Sequence, residues 1–134
     1  MGTQQLLLII LAVILVGIMI AIGMYMFQDQ SAASNRDGIT NDLVNLAAQA
    51  QKYYRRPAIL GGGANSFDGL TLAKMTSRPS NENGSYSMTP DPVPGGTTAI
   101  VVTGIGTEIG IDGATSVEVV MTVWNDSLFM VTNN

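Results

Sequence analysis

The chain has 134 residues, 46% of them hydrophobic and 12% charged, about half the charged share of ordinary soluble domains, so much of its surface must meet something other than water. That length provides one long element plus one small domain, and a net charge of −4 with scattered basic residues argues against a nucleic-acid partner. With no cysteine and no histidine, disulfide frameworks, thiolate metal sites and every Ser-His or Cys-His arrangement are excluded.

From Leu6 to Phe27 the chain reads LLLIILAVILVGIMIAIGMYMF, with no charge, proline or amide. As a helix this run is long enough to cross a hydrocarbon core of about 30 Å, and a membrane span is the direct reading. A cleaved secretory signal fits less well, because it needs a basic start and an apolar stretch of about 7–15 residues, whereas no Lys or Arg precedes Arg36. The same lack leaves a plain anchor without its usual orientation signal on that side, so removal of a leader from the front is expected. Gly17 and Gly23 each cost roughly 1 kcal/mol of helix propensity and predict either local unwinding or close helix packing.

Gln28, Asp29, Gln30, Ser31, Ser34, Asn35, Arg36 and Asp37 then bring the chain into water or onto a polar surface. Asn35 or Asp37 could cap a new helix here, whereas Ala32 and Ala33 would let the first one run through. Ile39, Leu43, Leu46, Ala47, Ala50, Tyr53 and Tyr54 recur at helical spacing and define an amphipathic helix with one buried face. Pro57 stops it, and Arg55 and Arg56 complement its dipole. Joined, the two segments give one helix from about Thr3 to Arg56, roughly 80 Å long.

Gly61-Gly62-Gly63 lacks the preceding strand and following lysine of a phosphate cradle. From Pro57 to Pro94 loops are expected, with Phe67, Leu70 and Leu72 as anchors and 77–87 as a polar exposed stretch. Beyond that the period changes to two. Ala99, Val101, Ile105, Ile109 and Ile111 alternate with Gly104, Gly106, Glu108 and Gly110, and Asp112-Gly113 supplies a hairpin turn. Val117, Val119, Met121 and Val123 follow on one face, and a turn at Asn125-Asp126 brings Leu128 and Met130 to join them. These residues, with the odd-numbered ones before the turn, are expected to form the face laid against Ile39–Tyr54. The opposite face, with Val120, Thr122, Trp124, Phe129 and Val131, is largely apolar and implies a neighbouring subunit or a further covering loop. Tyr86 and Met88 are expected to add a further strand. The fold class is therefore α+β: a long N-terminal helix, apolar then amphipathic, on an antiparallel sheet of three to four strands. Residues 1–56 form the helix (1–28 apolar, 29–56 amphipathic) and 57–134 the loop-rich connection and β-domain.

An uncharged apolar start continuing into an amphipathic helix and a small β-domain resembles a type IV pilin. The resemblance implies a prepilin whose basic leader is cut by a prepilin peptidase, exposing a methylated N-terminus at Met1. In that register Gln5 stands where the family usually carries a glutamate that pairs with a neighbouring subunit's terminal amine. A second register, with cleavage after Gly2, would begin at Thr3 and put Leu7 fifth. Gln5 as a neutral amide would give a hydrogen bond weaker than an ion pair. The helix-breaking proline often found midway along the family's helix is missing. On this resemblance Met1, Gln4, Gln5, Leu6, Gly17 and Gly23 are candidate assembly residues, and Ile39, Leu43, Leu46, Ala50, Tyr53 and Tyr54 pack the helix on the head. The bland reading of Thr3, Gln4 and Gln5 is that they cap the helix at the membrane surface.

No paired carboxylates share a spacing that forces them into one cleft, so the chain is not expected to be an enzyme, and no metal or cofactor is expected. Asp91, Asp112 and Asp126 are accounted for by turn preference. Tyr25 and Phe27 read as interfacial anchors, not as a conduit for electrons. The expected function is that of a structural subunit of an extracellular filament, a homo-oligomer of identical copies that is membrane-inserted before assembly and uses pilus assembly machinery. The family implies adhesion, surface motility or DNA uptake. The alternatives are a membrane-anchored monomeric binding module and a minor pseudopilin of a secretion machine.

Overall fold

The computed structural model describes residues 2–133. One helix, α1, runs without interruption from Gly2 to Arg55, about 80 Å at 1.5 Å per residue. It passes straight through Asn35–Gly38, so no second helix starts there; the Asn35 side chain is drawn off to the head instead, its amide donating to the Asn83 carbonyl at 2.8 Å. A single 3₁₀ turn at Ala58–Leu60 and a short helix α2, Leu72–Met75, punctuate the connection. Four strands follow: β1 (Gly84–Thr89), β2 (Ala99–Ile109), β3 (Ser116–Trp124) and β4 (Leu128–Thr132). They form one antiparallel sheet in the order β1-β2-β3-β4. The chain is thus α+β with a four-stranded sheet, Tyr86 and Met88 lying in the added strand.

The core lies between the C-terminal half of α1 and one face of the sheet. Ile39, Leu43, Ala47 and Ala50 are fully buried there and Leu46 nearly so, while Phe67 and Leu70 close the side. Each such leucine, isoleucine or phenylalanine side chain contributes about 1.5–3 kcal/mol. Leu72 packs against this core while remaining partly exposed, as do Tyr53 and Tyr54. The Tyr54 ring lies 4.8 Å from that of Phe67.

The face of β2 turned toward the helix is the opposite of the one expected. Ile100 and Val102 are buried, whereas Ile105, Ile109 and Ile111 are 46, 57 and 69% exposed. Register explains the correction. Cross-strand partners share a face, and Val102 pairs with Met121, Ile100 with Val123 and Gly104 with Val119. The buried odd residues of β3 therefore carry the even residues of β2 with them. Gly104 and Gly106 admit the helix: a Cβ on Gly104 would stand 2.5 Å from Cγ2 of Ile39, and one on Gly106 would stand 2.0 Å from Oδ1 of Asn35. Alternation identifies which residues share a face, but counting apolar side chains points to the wrong one where glycine makes room for a neighbour. Leu128 and Met130 do join the face of Val123 and Met121, yet stay 43 and 42% exposed.

The glycine run caps α1. The N–H groups of Gly63, Ala64 and Asn65 donate to the carbonyls of Tyr53, Arg56 and Tyr54 at 2.8, 2.9 and 2.7 Å, satisfying acceptors that a helix C-terminus leaves open. A Cβ on Gly63 would lie 1.7 Å from the Ser66 carbonyl oxygen, so the compact turn requires glycine there.

Candidate functional site

Two features stand out, one apolar and one polar. The apolar one is the N-terminal half of α1. Every described residue from Gly2 to Gln30 is exposed, and the helix contains an 18-residue stretch of mean hydropathy 3.3 with none of it buried. Leu8, Val13, Met19 and Phe27 are 66, 66, 71 and 75% exposed, values that water would penalise at about 25 cal/mol per Å². By length and composition this segment can cross a membrane. It carries the expected assembly residues Gln4, Gln5, Leu6, Gly17 and Gly23, all exposed; Met1 lies outside the described residues. The helix is unbroken at Gly17 and Gly23, where an added Cβ would meet nothing within 4 Å.

The polar feature is a clamp that ties the middle of α1 to the head. Asp42 Oδ2 accepts hydrogen bonds from Nδ2 of Asn81 at 2.8 Å, Nδ2 of Asn83 at 2.8 Å and the Tyr86 hydroxyl at 2.5 Å. About two turns below, Asn35 donates to the Asn83 carbonyl and, more weakly, to Thr107 Oγ1 at 3.4 Å. Gly38 sits between them because Oδ1 of Asn83 lies 3.0 Å from the position a Cβ would take. At the upper end Tyr53 donates to the Asp68 carbonyl at 2.8 Å and Gln51 to the Trp124 carbonyl at 3.2 Å. These bonds join helix to head at several levels and fix the azimuth at which the head sits on the rod.

The clamp perturbs its own ionisation. Burial pushes the Asp42 carboxyl upward, but the hydrogen bonds from Asn83, Tyr86 and Asn81 outweigh it and hold the group below the usual carboxylate range. Burial, followed by the bond to and charge of Asp42, raises the Tyr86 phenol far above its ordinary value. Because the folded pKa of Asp42 is depressed, its stabilisation is present above the unfolded pKa and is lost as pH falls through the folded one. Asp42→Ala removes the shared acceptor of three hydrogen bonds, two of them part-buried, and is expected to cost about 1–3 kcal/mol at pH 7. Urea melts at pH 7 and pH 3 check both points: the wild-type should lose stability in acid, and the difference between the two proteins should shrink there.

The clamp was not foreseen in the sequence. Asn35, Asp42 and Asn83 read as solvated polar residues, and only the tertiary fold aligns them. The packing set fares differently: Ile39, Leu43, Leu46 and Ala50 are buried against the sheet, with Tyr53 and Tyr54 at its margin. At the β2–β3 turn, Asp112 caps the backbone N–H groups of Ala114 and Thr115, both at 3.1 Å, consistent with the turn role expected of it. The Thr115 hydroxyl, then those two N–H groups, hold its carboxyl below the usual range. Among the described residues no three acidic, His or Cys side chains gather as a metal site. Fold and surface together define an α+β chain with one long membrane-compatible helix, to which the head is tied by hydrogen bonds at several levels. No family model, curated protein or solved structure matches it.

Proposed function

We propose that this chain is the structural subunit of a type IV pilus-like filament outside the cell. Its apolar half-helix is stored in the membrane and then packs with copies of itself, with the β-domains outermost. The observation that carries this reading is the junction within α1. A bare apolar rod, exposed from Gly2 to Gln30, continues without a hinge into a segment whose other face is buried in the head from Ala32 to Ala50. A tethered binding module needs only a flexible linker between anchor and head, whereas a filament needs the head held at a set angle to the packing helix. Gly17 and Gly23 have no role within the chain's own fold, and small residues at a helix surface favour close approach of a second helix. The largely apolar outer sheet face, including Phe129 at 58% exposure and Val131 at 42%, also favours neighbours over water.

Negative-stain microscopy of sheared surface material, with immunogold detection of the head, tests the reading. Continuous fibres labelled along their length are the expected result. Labelled membrane without fibres under strong expression would instead favour a monomeric anchored module.

A further inference from the structure

Two patches of opposite charge lie at different levels of α1. Near the C-terminal end, Lys52, Arg56 and Lys74 border a shallow depression of about 220 Å³, and Arg55 stands beside Lys52 on the adjoining surface. All four cations are exposed. At the other end, where the sheet overhangs the rod, a notch of about 410 Å³ opens between Phe27, Ser31 and Ser34 of α1 and Glu82, Thr107 and Glu108 of the head. Both glutamates are exposed, and no Lys or Arg is among the described residues lining the notch. The Glu108 N–H donates to Asn35 Oδ1 at 3.5 Å, which sets the notch at the Asn35 level of the helix. From Asn35 to Arg55 is about 30 Å at 1.5 Å per residue, so the two patches of one chain cannot meet.

Building on the filament reading, we infer that the basic corner of Lys52, Arg55, Arg56 and Lys74 docks into the glutamate notch of a second copy displaced by about 30 Å along the filament axis. The direction follows from the parallel setting of the helices. Chains inserted in one membrane point the same way, whereas a closed two-fold pair would require antiparallel rods. A head-to-tail contact leaves one patch open on each terminal copy and so continues into a polymer. Exposed ion pairs contribute little adhesion of their own. They set register and steer association, while the apolar helices supply the cohesion.

Because the chain has no cysteine, full-length Arg55→Cys/Glu108→Cys protein can be oxidised only at the two introduced thiols. Within one chain these stand about 30 Å apart, far beyond the roughly 7 Å Cα separation a disulfide spans. Oxidised fibres should therefore give a ladder of dimers and higher multimers on non-reducing gels, with neither single-cysteine variant passing beyond dimers. In parallel, Lys52→Glu/Arg55→Glu and Glu82→Lys/Glu108→Lys are each expected to lower the yield of sedimentable fibres about tenfold at low salt, and their combination in one chain to recover most of it. Oxidised Arg55→Cys/Glu108→Cys fibres without a ladder, or charge-reversed chains assembling at wild-type yield, would overturn this contact while leaving the filament reading standing. No fibres from the wild-type chain would overturn both.

Discussion

Gly104→Val is expected to lower the melting temperature of the head by about 10 °C or more, even though valine is the better strand former. The substitution places a branched side chain where Cγ2 of Ile39 already stands, 2.5 Å from the new Cβ, with the Tyr86 ring at 3.2 Å. Ile39 is fully buried and β-branched, so it has no spare rotamer into which to retreat. Overpacking of this kind costs about 1–3 kcal/mol, occasionally more, and each kcal/mol is worth about 4–8 °C in a domain of this size. Ile39→Ala also destabilises by itself, but in the Gly104→Val background it should cost much less, because it vacates the contested space. Circular-dichroism melts of the four proteins of this cycle measure the coupling. If Gly104→Val melts at or above the wild-type temperature, the helix does not dock on the even-numbered face of β2.

Leu15→Arg is expected to have the opposite signature, abolishing assembly while leaving the head intact. Leu15 sits midway along the bare half of α1 and is 50% exposed, touching nothing in the head. An arginine near the centre of a membrane-spanning helix costs about 2.5–3.5 kcal/mol on insertion scales, and in a packed helical core it would be a buried unpaired charge. Membrane-fraction yield and fibre yield should both fall at least tenfold, since about 1.4 kcal/mol corresponds to a factor of ten. The detergent-solubilised protein should melt within a degree or two of wild-type, because surface substitutions remote from packing usually stay within about 0.5 kcal/mol. Normal fibres from Leu15→Arg would contradict packing through this helix.

The two substitutions separate what holds the head together from what brings copies together, and the residues concerned were legible to different degrees. The run from Leu6 to Phe27 is apolar on all sides, which in a helix leaves no polar face for water; that it needs lipid or other helices around it is thus a property of the sequence alone. The 3.6-residue recurrence of Ile39, Leu43, Leu46 and Ala50 likewise determined one buried stripe, since a helix places those positions on a single side. Turn chemistry at Asp112-Gly113 located the β2–β3 hairpin for the same local reason: Gly113 takes a positive φ of 70° there, which glycine adopts without strain.

Other features depended on residues far apart in the chain. Asp42 meets Asn81, Asn83 and Tyr86 only after the helix has docked, and the Gly61–Gly63 run becomes a helix cap only because the chain doubles back over Tyr53 and Tyr54. The helix passes Asn35 and Asp37 without a break because the head engages the Asn35 side chain that would otherwise cap a new start. Which face of β2 meets α1 was decided by cross-strand register and by the space at Gly104 and Gly106, neither of which alternation alone conveys. By itself the sequence determined the apolar rod, the amphipathic continuation and the α+β class, because these follow from periodicities within single elements. The orientation of the sheet, the polar clamp and the gathering of the basic corner and the glutamate notch were decided by tertiary structure, since each arises from side chains that only packing brings to the same place.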